Sequence, residues 1–109
     1  MFDYQRWRLW LRAKAAALEA EGLKVRFAAG PDDGPKPGII LEVLGQQALY
    51  GGFENWITGE TDYTIAVLSS PKSRMVSHEW GLLVTDETFE ATFTSFITKF
   101  RQFELSEGA

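Results

Sequence analysis

The phenylalanines near the end of the chain constrain the fold most strongly. They recur in steps of four, three, four and three residues: Phe89, Phe93, Phe96, Phe100 and Phe103. This spacing places them on one face of a helix, and Ile97 widens the apolar stripe. We expect Thr85 or Asp86 to cap the start of this helix. We interpret the stripe as a lid over a core rather than a groove for a partner, because an apolar sheet face needs such a cover.

The beginning of the chain predicts a second amphipathic helix. From Asp3 to Gly22, apolar residues return every three or four positions, which is the period of one helical face. The apolar positions are Trp7, Trp10, Leu11, Ala15 and Leu18. Asp3 can cap the first turn, and Gly22 suits the left-handed residue that ends a helix.

Between the two helices the apolar residues alternate with polar ones, which predicts strands. The predicted strands are Leu23–Phe27, Ile39–Leu44, Gln47–Phe53, Tyr63–Leu68 and Met75–Val84. Prolines and glycines crowd residues 28–38, so this segment is predicted to be an exposed loop. The order of elements predicts an α+β fold. In it, a five-stranded antiparallel meander sheet carries both helices on one face.

Two strands contain features that bear on the sheet geometry. Gly51 and Gly52 lie inside the third predicted strand, where we expect a bulge or the close approach of another backbone. Strict alternation in the fifth strand places Val76, His78, Trp80 and Leu82 on one side and Ser77 and Glu79 on the other. His78 is therefore interpreted as a partly buried or cross-strand residue rather than a catalytic one.

Composition excludes several classes of protein. The 109 residues suit one domain, and they include no cysteine and a single histidine. Disulfides, thiolate chemistry and histidine-pair metal sites are thereby excluded, so we expect no enzyme activity, no metal and no cofactor. A net charge of −4 disfavours nucleic acid as a partner. No apolar run is long enough to suggest a membrane span, and no signal peptide is recognisable, so we expect a cytoplasmic protein.

The segment GGFENWITGETDY, residues 51–63, combines aromatic and acidic residues without a basic one. Six acids (Asp32, Asp33, Glu42, Glu54, Glu60 and Asp62) face one base, Lys36, between Pro31 and Asp62. Aromatic anchors within an acidic rim are typical of a tight protein interface. The predicted partner-binding surface consists of Tyr50, Glu54, Trp56, Glu60 and Asp62. The alternative is a solvated acidic face with Trp56 in the sheet and Gly59 in a turn.

Trp56, Gly59 and Asp62 form a W-x-x-G-x-x-D pattern that leads into a strand. This pattern resembles the TriTu family of bacterial immunity proteins. In that family a leading amphipathic helix, an antiparallel sheet and a closing helix rich in Phe and Leu follow the same order. The resemblance implies a cytosolic antitoxin that occludes the active site of a secreted toxin domain, in the name-giving case an ADP-ribosyltransferase acting on elongation factor Tu. It also implies that Trp56 and Asp62 fall at or near the conserved surface of the family.

The residues thus predict a non-enzymatic protein that binds a basic surface, and the resemblance implies that this surface is the cleft of a bacterial toxin domain. A monomer is expected when the protein is free, and neither nucleic acid nor a membrane is an expected partner. Two alternatives remain open. One is a small acidic dimeric chaperone for a secreted effector, which a stable dimer would favour, and the other is a generic protein-interaction module.

Overall fold

The protein folds as a helix, five strands and a second helix. The computed structural model describes residues 2–28, 38–45, 48–56, 58–68 and 73–107. The elements are α1 (Tyr4–Ala20), β1 (Lys24–Ala28), β2 (Gly38–Leu44), β3 (Leu49–Trp56), β4 (Glu60–Leu68), β5 (Ser73–Leu83) and α2 (Phe89–Glu107). This order confirms the predicted α+β fold. The predicted loop at residues 28–38 falls almost entirely outside the described residues.

The sheet is an antiparallel meander in which the strands lie side by side in chain order, β1 to β5. All five strands differ from their predicted bounds by one to three residues, and the largest differences lie at the hairpin of β3 and β4. β3 continues beyond Phe53 to Trp56, and β4 begins at Glu60 rather than at Tyr63. The described residues of the acidic, aromatic segment therefore belong to the hairpin of β3 and β4.

Both helices pack on the same face of the sheet around an aromatic core. On α1, the predicted positions Trp7, Leu11, Ala15 and Leu18 are buried, and Tyr4 is buried with them. On α2, Phe89, Phe93, Phe96 and Phe100 are buried, as the lid interpretation requires. Phe53 of the sheet lies 5.1 Å from Phe93 between ring centroids, and Tyr63 lies 5.4 Å from Phe96. Within the described residues, neither helix combines the length and the apolar character needed to cross a bilayer.

The predicted helix ends are confirmed for α1, and of the two residues expected at the start of α2, Thr85 rather than Asp86 bonds to the first turn. The Asp3 carboxylate accepts a hydrogen bond from the Arg6 amide at 3.1 Å, and Gly22 has the expected positive φ. Asp86 does not cap α2. Its carboxylate instead accepts hydrogen bonds from the Asp3 amide and the Trp7 indole, both at 2.8 Å, so it ties the start of α1 to the approach to α2.

Thr85 opens the turn that leads into α2. Its carbonyl oxygen accepts from the Phe89 amide at 3.0 Å, and its own amide donates to the Thr88 hydroxyl at 2.9 Å. These two bonds satisfy backbone groups at the start of the helix, as capping residues do.

Neither the bulge nor the close approach of another backbone that was predicted at Gly51 and Gly52 occurs. Both residues stay in regular register with β2 and β4, so no bulge occurs there. Gly51 faces α2, where a Cβ atom would lie 2.9 Å from the rings of Phe96 and Phe100. The close approach therefore comes from aromatic rings of the lid and not from another backbone.

Strict alternation in the fifth strand was also wrong. The pairing of β4 with β5 shifts register between Thr61 and Tyr63 and again between Ile65 and Ala66. Leu82 consequently pairs with Thr61 and packs against the core, whereas His78 pairs with Thr64 on the face without helices. The shifts separate Val76 and Leu82 from His78 and Trp80, because extra residues reverse the facing of a strand. The cross-strand interpretation of His78 is confirmed, since its Nδ1 lies 2.6 Å from the Thr64 hydroxyl.

Candidate partner-binding site

All five residues of the predicted binding surface lie on one face of the sheet. Tyr50, Glu54 and Trp56 alternate along β3 with residues that face the core, and Glu60 and Asp62 do the same along β4. Because both helices cover the opposite face, we call this side the open face. Glu60 is exposed and the other four residues are half-buried. The pairing of β3 with β4 thus places these residues side by side, which their spacing in the sequence could not establish.

Two carboxylates stand directly opposite each other on the open face. Glu54 of β3 pairs with Asp62 of β4 in the strand register. Burial, and then the charge of Asp62, raise the pKa of Glu54. Like charges directly opposite each other destabilise a sheet. The fold itself therefore gains nothing from an ionised Glu54.

Asp62 also has a structural task. Its Oδ1 accepts a hydrogen bond from the Gly81 amide at 2.8 Å, at the point where the β4–β5 register shifts. Gly81 has a φ of +66°, which is typical of a glycine in a β-bulge. Asp62 accordingly stabilises the bulge through this hydrogen bond and also contributes acidic charge to the open face.

The motif around Trp56 and Gly59 is explained in large part by the hairpin turn. The Gly59 amide donates to the Trp56 carbonyl at 2.8 Å, and the Gly59 carbonyl accepts from the Val84 amide at 2.9 Å. Gly59 has a φ of +92°, and a Cβ atom there would lie 2.6 Å from the Val84 carbonyl oxygen. The turn hence requires glycine. The structure thus has Trp56 in the sheet and Gly59 in a turn, as the alternative of a solvated acidic face also assumed.

A second group of polar residues on the open face changes the predicted charge balance. Glu42 Oε1 lies 2.9 Å from both Arg26 Nε and Arg26 Nη2, and Glu42 Oε2 accepts from the Tyr50 hydroxyl at 2.8 Å. The Arg26 hydrogen bond lowers the pKa of Glu42. Burial, and then the bond to Glu42, raise the pKa of Tyr50 to about 12. Tyr50 is therefore held over the sheet as a neutral hydroxyl.

The balance of six acids against one base, Lys36, therefore leaves out a basic residue that lies on the same face. Pairing of β1 with β2 brings Arg26 opposite Glu42, a contact that a count along residues 31–62 does not include. At the hairpin end of β3 and β4, the acidic residues of the described open face are Glu54, Glu60 and Asp62. Asp32, Asp33 and Lys36 lie outside the described residues.

Sequence reasoning missed the contribution of β5 to this face. Trp80 is 75% exposed, and its ring meets His78 edge-on at 5.6 Å. Met75 pairs with Ala66, and Leu83 pairs with Glu60, so both lie on the open face. Gly81, directly after Trp80, was the one local signal of a bulge that could have revealed this arrangement.

Other features of the molecule lie away from these residues. A cleft of about 610 Å³ opens at the opposite end of the sheet, where Arg101 and Glu21 form an ion pair at 3.1 Å. Among the described residues, no group of three or more histidine, aspartate or glutamate side chains is arranged to hold a metal ion.

Comparison with known proteins found no family model, curated protein or solved structure that matches the chain significantly. The likeness to the TriTu immunity proteins rests on the residues of the W-x-x-G-x-x-D pattern and on the order of elements.

Proposed function

We propose that the protein is a non-enzymatic inhibitor that binds a basic protein surface through the hairpin end of its open face. The observation that carries the proposal is the placement of Tyr50, Glu54, Trp56, Glu60 and Asp62 together on the sheet face that the helices leave uncovered. The residues lie on two paired strands of the sheet, a placement that suits recognition of a folded partner.

The opposed carboxylates of Glu54 and Asp62 support the proposal that the partner is cationic. An ionised Glu54 beside Asp62 is unfavourable in the free protein, as the raised pKa of Glu54 indicates. An arginine or lysine brought between them would relieve the repulsion and form charge-assisted hydrogen bonds. The cost to the free protein is thereby offset when the complex forms.

The aromatic residues of the open face support a protein partner rather than a small ion. Trp56 and Tyr50 are half-buried and Trp80 is largely exposed, all on the same side of the sheet. Tryptophan and tyrosine are enriched among residues that dominate binding energy at protein interfaces. The combination of these rings with carboxylates fits a surface with apolar and basic residues side by side.

Within this class, we propose that the partner is a secreted bacterial toxin domain, which the protein neutralises in the cytoplasm. This narrower proposal is supported by the resemblance to the TriTu immunity proteins. A toxin that binds an anionic substrate presents a basic cleft, and an acidic face competes for such a cleft by steering and by occlusion.

Co-expression tests the proposal. The domain encoded by the neighbouring open reading frame is expressed in bacteria with and without this protein, and growth is measured together with co-purification. We expect toxicity of the domain alone, protection by this protein, and a stable complex. Toxicity that persists in the presence of this protein, with no complex formed, would contradict the proposal.

One observation favours the dimeric chaperone as a second candidate. β5 is a sheet edge that carries exposed apolar side chains, and an edge of this kind can pair with a second copy. Sedimentation of the purified protein distinguishes the two candidates, because the chaperone is expected to be a stable dimer.

A further inference from the structure

His78 lies exposed on the open face of the sheet, beside the proposed binding surface, and it is the only histidine of the chain. Its cross-strand neighbour Thr64 lies on the same face, and its ring meets the exposed ring of Trp80 edge-on. Histidine is the side chain that ordinarily changes its charge between pH 5 and 8. The open face therefore carries one group whose charge depends on pH in this range.

Two carboxylates of the binding surface lie close to His78. Asp62 stands two residues before Thr64 on β4, so it is a diagonal neighbour of His78 across the two strands. Diagonal neighbours on a sheet lie about 7 to 8 Å apart, which is no more than the Debye length of about 8 Å at physiological salt. Glu54 is paired with Asp62 on the next strand. Burial and the charge of Asp62 raise the pKa of Glu54, and the charge of His78 offsets part of this rise.

The other charges around this part of β5 lie on the helix side of the sheet. Glu79 pairs with the core residue Tyr63 and forms an ion pair with Lys99 of α2 at 3.6 Å. Arg74 pairs with Val67, which also packs against the core. A proton on the histidine therefore acts chiefly on the carboxylates of the open face.

A protonated His78 and a basic partner compete for the same carboxylates. The proposed function requires Glu54 and Asp62 to attract a cationic group of the partner. A positive charge on His78 satisfies part of that attraction within the protein, and it also repels a basic surface that approaches the face. Glu42, which lies farther across the face, is already paired with Arg26 at 2.9 Å. Binding of a basic partner is thus favoured when His78 is neutral.

We propose that His78 makes recognition of the basic partner sensitive to pH, with tighter binding when His78 is neutral and weaker binding when it is protonated. The partner and the proton compete, so each lowers the affinity of the protein for the other. The complex therefore holds at neutral pH and loosens as the pH falls through the range in which histidine titrates. This inference rests on the proposed function, because the carboxylates that His78 affects are those that attract the partner.

The test measures the dissociation constant between the full-length protein and the domain encoded by the neighbouring open reading frame, from about pH 5 to about pH 8. The same series is measured with His78→Gln, which leaves the ionisable groups of the partner and of Glu54 in place. We expect the parent to lose on the order of threefold more affinity than the variant as the pH falls, the size of one charge interaction across about 7 Å of solvent. Equal pH dependence in both proteins would overturn the inference and leave the proposed function intact.

A permanent charge separates the effect of the proton from the effect of losing the imidazole ring. His78→Lys is positive throughout the pH series, so it should bind more weakly than the parent even at about pH 8. Leu9→Lys makes the same change of net charge at an exposed position on α1 and should bind as the parent does. Binding of His78→Lys as tight as that of Leu9→Lys would overturn the inference.

Nuclear magnetic resonance follows the proton directly. Because the chain contains a single histidine, its ring protons give one titration curve when the protein is isotope-labelled and the partner is not. We expect the midpoint of this curve to be lower in the complex than in the free protein, by about half a pH unit for a threefold change in affinity. An unchanged midpoint would overturn the inference. Absence of a complex at every pH, without protection in co-expression, would overturn the proposed function and the inference with it.

Discussion

Glu54 of β3 and Asp62 of β4 face each other directly across the open face of the sheet. Burial and the neighbouring carboxylate raise the pKa of Glu54, so the folded protein disfavours its ionised form. Functional surfaces often retain such unfavourable groups at the expense of stability. The pair therefore adds acidic charge to the open face at a cost to the stability of the fold.

Glu54→Gln should stabilise the free protein and weaken its complex. Removal of the like-charge contact is expected to raise the free energy of unfolding by about 0.5 kcal/mol at neutral pH. Urea denaturation measures this difference, and Glu19→Gln on the exposed side of α1 serves as the control. A Glu54→Gln variant that is less stable than the parent would show that the ionised carboxylate supports the fold.

The stabilisation by Glu54→Gln should depend on pH. Because the pKa of Glu54 is raised on folding, this residue disfavours the folded state where it is ionised in both states, and the penalty disappears as it becomes protonated. The difference between variant and parent is therefore expected at neutral pH and should vanish as the pH falls below about 4.3, the ordinary pKa of glutamate. A difference that stays constant over this range would contradict the electrostatic origin.

Gly51→Ala should destabilise the protein much more than Gly52→Ala. At Gly51 the new methyl group would collide with the packed rings of Phe96 and Phe100, and such overpacking costs roughly 1 to 3 kcal/mol. At Gly52 the nearest atom is the hydroxyl of Tyr50 at 2.8 Å, so the methyl group would disturb the bond of Tyr50 to Glu42 but would displace no ring of the core. Urea denaturation of the two variants compares them directly. Equal stability would mean that α2 does not approach β3 as closely as described.

Tyr50 should ionise unusually late. Its pKa is raised to about 12 by burial and by its hydrogen bond to Glu42, and ultraviolet absorbance of tyrosinate follows the titration. Since the pKa is raised on folding, the associated stabilisation is present below about pH 10 and is lost as the pH rises through about 12. Tyr50→Phe should remove the late step, and Glu42→Gln should move it to lower pH. A late step that persists in Tyr50→Phe would assign it to another tyrosine.

The order of elements could be predicted because it depends on local periodicity. The phenylalanines of α2 and the apolar residues of α1 recur with the period of a helical turn, and the structure confirms that these residues line the buried faces of two helices. The grouping of Tyr50, Glu54 and Trp56 on one face likewise follows from alternation within a single strand.

The errors concern contacts between elements that are distant in the sequence. The ion pair of Arg26 with Glu42 depends on the register of β1 with β2, and the bonds from Asp3 and Trp7 to Asp86 join the start of α1 to the approach to α2. The side of the sheet on which Trp80 lies depends on the register shifts between β5 and β4. Periodicity within one segment carries no information on register between segments, so these contacts could not be predicted.

The central claim is that the hairpin end of the open face attracts a basic partner. The most direct measurement is the association rate constant with the proposed partner, the domain encoded by the neighbouring open reading frame, at low and at physiological salt, for Glu60→Lys and Glu19→Lys. Both variants change the net charge equally, but Glu60 lies exposed on the open face and Glu19 lies on α1. Asp62 is left unchanged because it holds the Gly81 amide. We predict that Glu60→Lys slows association on the order of tenfold at low salt and less at physiological salt, with little effect of Glu19→Lys. Equal rates for the two variants at low salt would contradict the claim.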